Sequence, residues 1–297
     1  MHRAPRFEIV LSLIAAVLSV PHASWSQVDA AVIPKLLGDQ LSHPADLDDA
    51  KSKKLLDVIS NAATKSLDQN NKDWNASSPK WQVVYDRVHA DLESEMPTIR
   101  EELESQTHKL QKDGEAEIAA HLSQSDVDAI LAFYGTPEGQ RYQEFAPKAD
   151  RILTLGMRNL ASLGTPGSGQ QAAAQATREQ STQYIKMLML SHTYLSIVAA
   201  SQAQEDPTGY AGVVGFGIGV AVRDNPQELE ALDKKYAADL TSFEAFTKTD
   251  AAQHLWMATG QTMLRMAKDN SLTSIFTTAV QRHESDWKAL YLAQAKP

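Results

Sequence analysis

Cysteine is absent from all 297 residues, which excludes disulfides, thiol nucleophiles, thiolate metal sites and a lipid-attachment cysteine. Basic residues are outnumbered: 28 Lys and Arg stand against 37 Asp and Glu, a net charge of −9, and no run of lysines or arginines occurs. Such a surface repels polyanions, so nucleic acid and anionic lipid are excluded as general partners. Strand-like alternation of apolar and polar residues is nearly missing. Long apolar runs are missing too, the one nearest the N-terminus, Ile9 to Val20, having 12 residues, well short of the roughly 20 that span a bilayer.

What the chain does have begins with that run. Arg3 and Arg6 precede it, and Ser24 and Ser26 place small residues just before Gln27, the pattern of a secretory signal peptide over residues 1–26. The alternative, an N-terminal membrane anchor, is disfavoured by the length of the run. Removal of the segment takes away Arg3, Arg6 and Glu8 and leaves 26 basic and 36 acidic residues, net −10. The mature chain is therefore expected to be periplasmic or secreted, soluble, and without a transmembrane segment.

The strongest folding signals lie in Leu122–Tyr142, LSQSDVDAILAFYGTPEGQRY. Ser123 followed by Asp126 has the form of a helix N-cap, the two side chains taking amide protons that lack an intrahelical acceptor. Leu122 and Val127 suit a hydrophobic staple, and Val127, Ile130, Leu131 and Tyr134 share the spacing of one buried face. Gly135 is expected to stop the helix in a left-handed C-cap. Thr136 then caps a second helix with Pro137 at its first position, where a missing amide proton costs nothing.

The remaining chain also reads as helix and turn. Short helices are expected near Ala31–Leu41 and Lys53–Leu67, then a long one from Pro79 with Trp81, Val84, Val88 and Leu92 on one face, bent at Pro97 and running toward Gly114. Pro147 is expected to kink or end the first segment of the helix that begins at Pro137. Residues 164–177, rich in Gly, Ser, Gln and Ala, suit a flexible linker and divide an N-terminal domain, 27–163, from a C-terminal one, 178–297. Beyond it, helices are expected over Tyr184–Ala200, from Pro226 through Tyr236 and Phe243, from Thr249 to about Asp269, and from Ser271 onward. The glycine-rich stretch 209–219 lacks the GxGxxG spacing and the P-loop lysine. It is read as a buried segment in which glycines let backbones approach, with a membrane-touching loop as the minor alternative.

An offset of 113 residues lays Phe133 on Phe246, Thr136 on Thr249 and Gln140 on Gln253, with Gly139 over Ala252 and Asp126 over Asp239. The expected fold is therefore all-α, a helical bundle of two related helical-hairpin halves, the second degenerate. The segment AILAFYGTPEGQRY also resembles the hallmark of a bacterial exported family, the domain of unknown function numbered 2059, whose members carry an FY-x-(S/T)-P-x-G-(Q/K) corner. Phe133, Tyr134, Thr136, Pro137, Gly139 and Gln140 carry the match, which with its flanks covers roughly residues 81–160. The resemblance implies an all-helical, periplasmic protein and supplies no catalytic residue or cofactor. The second copy departs from it at Asp250 and Ala252.

Few residues invite chemistry. Asp86, His89 and Glu93 fall on one helical face and offer two carboxylates and an imidazole to a metal; a solvated polar stripe is the preferred reading. His121, His192 and His254 have no partner that spacing alone can place. HExxH is absent, and the Gly167-Ser168-Gly169 triplet lies in the linker, where a nucleophile would lack preorganisation. Thr136, Thr249, Gln140 and Gln253 are expected to cap and bond the corners, with Phe133, Tyr134 and Phe246 in the core. No cofactor is implied. The favoured function is a non-enzymatic envelope protein that binds an unknown protein or small ligand; the rival is an envelope hydrolase or metal-dependent enzyme using Asp86, His89 and Glu93. Composition leaves the oligomeric state open.

Overall fold

The structure is a computed structural model and describes residues 28–38, 49–162, 178–202 and 207–295. The segment read as a signal peptide, 1–26, and the stretch read as a linker, 164–177, lie outside the described residues. No strand occurs among the described residues, as the all-α expectation requires. In order come a 3-10 turn Ala30–Val32, α1 (Ile33–Leu37), α2 (Asp49–Ser66), α3 (Pro79–Ala120), α4 (Gln124–Tyr134) and α5 (Pro137–Ser162). These are followed by α6 (Arg178–Met189), α7 (His192–Gln202), α8 (Pro207–Asp224), α9 (Pro226–Tyr236), a 3-10 turn Ala237–Asp239, α10 (Leu240–Thr247), α11 (Asp250–Lys268) and α12 (Ser271–Ala295).

Two compact units do not follow the expected division at 164–177. One joins the described part of Met1–Ser42 to Lys112–Lys268, and the other joins His43–Gln111 to Asp269–Pro297. The reason is long-range burial. In the larger unit, Leu36, Ile130, Tyr142, Phe145, Leu188, Leu229, Phe243 and Trp256 belong to one core, so segments from both expected domains share it. In the smaller unit, Leu56, Trp81, Val84, Val88 and Leu92 of α2 and α3 pack with Ile275, Ala279 and Trp287 of α12.

The larger unit is closed by helices that approach unusually near. α5 lies along α8, and α11 lies along α7 and α4. A Cβ built at Gly156 of α5 falls 2.5 Å from the Gly217 carbonyl oxygen, and one built at Gly260 of α11 falls 2.1 Å from that of Ser196. Only glycine fits at either position. The glycine-rich stretch is thus helical, with Gly217 buried as expected but Gly215 and Gly219 exposed.

Several local expectations need correction. Gly135 is right-handed, φ −73° and ψ −15°, because the chain turns straight into α5 on a Gly135 N–H to Leu131 carbonyl bond; the positive φ among described residues belongs to Gly38. Leu131 is exposed, not part of the buried face. α3 continues past Gly114 to Ala120, and Pro147 lies inside α5 and does not end it. The apolar helix expected over Tyr184–Ala200 breaks at Leu190–Ser191, where Ser191 Oγ accepts the Tyr194 amide proton at 3.2 Å, and the helix expected to carry both Tyr236 and Phe243 breaks at 237–239.

Trp287 is 1% exposed in the smaller core, and its indole N–H donates to Asp91 at 2.9 Å. Trp287→Ala is expected to cost about 3–5 kcal/mol and to raise amide hydrogen exchange in α2, α3 and α12. An exchange pattern unchanged in α2 and α3 would contradict their sharing a core with α12.

Candidate functional site

The most highly organised place in the larger unit is the pair of corners that the sequence singles out. At the first, the Thr136 amide donates to the Phe133 carbonyl (2.9 Å), the Gln140 amide donates to the Thr136 carbonyl (3.0 Å), and Thr136 Oγ1 donates to the Phe133 carbonyl (2.7 Å) while accepting from Gly139 N–H (3.0 Å). At the second, the Thr249 and Gln253 amides make the matching bonds at 2.9 Å each, Thr249 Oγ1 donates to the Phe246 carbonyl (2.8 Å), and Ala252 N–H donates to Thr249 Oγ1 (3.3 Å). Each of these four bonds of the first corner has its counterpart 113 residues on. Lys248, in the place corresponding to Gly135, is also right-handed, so this corner has no need of a left-handed residue.

The same offset governs how the corners meet. Phe133 stacks on Phe246 with ring centroids 3.9 Å apart and planes 8° from parallel. Two further pairs join the hairpins: Arg141 grips Asp239 with two bonds of 2.8 and 2.7 Å, and His254 Nδ1 lies 3.0 Å from Asp126 Oδ1. Asp126 and Asp239 correspond at the offset, as do Arg141 and His254, so the two hairpins exchange equivalent contacts in the manner of an isologous pair. Asp126 also completes the capping box, accepting the Ser123 N–H at 3.0 Å while its own amide donates to Ser123 Oγ at 3.1 Å. Burial pushes its carboxyl up, but the Ser123 and His254 bonds outweigh burial and hold it below the usual carboxylate range.

A second cluster surrounds His192, which is 3% exposed. Its ring stacks on Trp256 at 4.9 Å and meets the Tyr142 ring at 5.4 Å. Nδ1 is 3.7 Å from Asp150 Oδ2, whose other oxygen accepts the Thr193 amide proton at 2.7 Å. Among the described residues neither ring nitrogen finds a hydrogen-bond partner, nor do Ser196 Oγ, Trp256 Nε1 and Thr259 Oγ1 on α7 and α11. Burial lowers the basicity of His192 against the opposing pull of Asp150, and keeps the imidazole neutral.

The other sequence candidates fall as follows. Tyr134 is buried and its hydroxyl donates to the Leu36 carbonyl at 2.9 Å; Pro137 opens α5; Gly139 is buried under the Phe133 carbonyl. Gln253 Nε2 bonds the Thr247 carbonyl at 2.5 Å, whereas the Gln140 side chain is exposed. His121 turns back on its own helix, Nδ1 lying 2.8 Å from the Glu117 carbonyl. The structure does not bring Asp86, His89 and Glu93 together: Asp86 accepts from Gln82, His89 faces Asp57 at 3.4 Å, and Glu93 is exposed. No group of three metal-ligating side chains occurs among the described residues. The exchanged pairs escaped sequence reasoning, although their signal, Arg141 standing over His254 at the offset, was there to find.

A Cβ at Gly139 would lie 1.9 Å from the Phe133 carbonyl oxygen. Gly139→Ala is therefore expected to lower stability by about 1–3 kcal/mol despite the better helix propensity of alanine, and Ala252→Gly at the second corner to lower it by about 0.5–1 kcal/mol. Urea titrations measure both. Because the buried His192 resists protonation, the unfolded chain takes up the proton more readily, so stability falls as pH drops below the ordinary histidine value of 6.5. His192→Phe removes two unpaired nitrogens and is expected to flatten that slope without loss of stability at neutral pH, as denaturant titrations across pH show.

Comparison with known protein families, curated proteins and solved structures finds no match to this chain.

Proposed function

We propose that the protein is an exported helical interaction protein of the bacterial envelope, periplasmic or secreted, related to the domain of unknown function numbered 2059 and built from two copies of one hairpin. In support of the duplication stand the corner bonds and exchanged pairs repeated at the offset of 113. In support of export stands the order of charged, apolar and small residues before Gln27.

One observation carries the binding role: the outward face of α8. Phe216 is 72% exposed and Val213 is 57% exposed, on a helix that has no charged residue from Pro207 to Val222. An exposed apolar surface on a chain otherwise well supplied with charge marks a place of contact. The polar residues at the two corners cap, bond and pair within the fold; Asp86 and His89 face different neighbours and Glu93 is exposed, so the rival metal-dependent enzyme has no assembled site among the described residues.

A photo-crosslinking amino acid introduced at Val213 is expected to give discrete adducts when cells exporting the protein are irradiated. The same residue at Val58, which is 58% exposed on α2, is expected to give none. Equal labelling from both positions, or none from Val213, would remove α8 as the binding face.

A further inference from the structure

Four glycines of the larger unit are explained by what presses on them. A Cβ at Gly139, Gly156, Gly217 or Gly260 would fall within 1.9, 2.5, 2.7 or 2.1 Å of another atom. Gly215 and Gly219 are different: a Cβ at either meets nothing within 4 Å. Each sits inside a helix, where glycine costs about 0.5–1 kcal/mol relative to alanine, and no contact among the described residues returns that cost. They stand one turn apart on the exposed face and make a shallow groove, with Phe216 projecting beside it.

We propose that this face binds the same face of a second copy of the chain, α8 crossing α8 about a twofold axis. Knob and groove lie side by side on one helix, so a twofold rotation seats each Phe216 against the glycines of the other copy. The buried side of α8 already makes such an approach, with Gly217 against Gly156 of α5. Charge selects the same place. Two copies of an exported chain of net charge −10, 26 basic against 36 acidic residues, repel each other over most of their surface, but α8 is uncharged up to Val222, and Arg223 is neutralised by Asp224 at 2.6 Å. A membrane surface fits less well, since interfacial helices flank their apolar face with free lysine and arginine.

The inference rests on α8 being the binding face, and the tests separate the two. Sedimentation of the full exported chain over a concentration series is expected to show a monomer–dimer equilibrium that Phe216→Asp and Gly219→Leu abolish, halving the limiting mass while leaving the thermal melt in place. Because the chain has no cysteine, Gly215→Cys supplies a single thiol, and mild oxidation is expected to give a disulfide-linked dimer. A monomer at every concentration overturns the proposal, as does a dimer indifferent to Phe216→Asp, or flotation of the monomer with neutral phosphatidylcholine vesicles. An adduct from Val213 of a mass other than twice the chain overturns self-association and leaves the interaction role standing; the absence of any adduct overturns both.

Discussion

Two phenylalanine rings lie flat on each other only when the backbones that carry them are held at a fixed distance and angle, and in this protein that condition is met by Phe133 and Phe246. A ring pair of this kind contributes about 0.5–1.5 kcal/mol beyond the area it buries. Its larger effect is geometric. Once the rings are stacked, α4 is brought to α11 and α10 to α5, and the flanking acids find their bases: Asp239 meets Arg141 in a fork and Asp126 meets His254. The corners must be rigid for this to hold, and the threonine hydroxyls make them so by occupying backbone groups that a sharp turn would leave unpaired.

Around that centre the chemistry of the larger unit is one of close approach. Glycines remove the Cβ atoms that would keep α5 from α8 and α11 from α7, so backbones pack where most helix pairs would place side chains. The cost appears along α7 and α11, where His192, Ser196, Trp256 and Thr259 keep buried polar atoms without partners among the described residues. Such groups each cost about 1–3 kcal/mol. The packing is tight enough to hold His192 neutral against the pull of Asp150.

How much of this was legible in the sequence depends on distance along the chain. The capping box of Ser123 and Asp126, the Thr136-Pro137 start and the stripe through Val127, Ile130 and Tyr134 are local devices, and each does in the structure what its spacing implies. Gly135 misled because a glycine after a helix suggests a left-handed cap, while a threonine next to it offered a right-handed turn instead. Ser191 went unread because its capping role shows only once the apolar run around it is seen to be two helices. The composition of the units was invisible, since nothing near Trp81 or Leu92 in the chain indicates that their cover is Ile275 and Trp287. The candidate site was half legible. The offset of 113 pointed to the corners, but that they face each other is a fact of three-dimensional packing.

That last burial bears on the order in which the protein forms. Residues 49–111 enter the smaller unit early in synthesis, yet the wall against which they pack is α12, the final helix in the described chain. The Lys112–Lys268 part of the larger unit is made in between. Trp81, Val84 and Val88 therefore wait with an uncovered oily surface until α12 follows them, and the interval in which that surface is open to chaperones, proteases and misassociation is set by the time that residues 112–270 take to emerge.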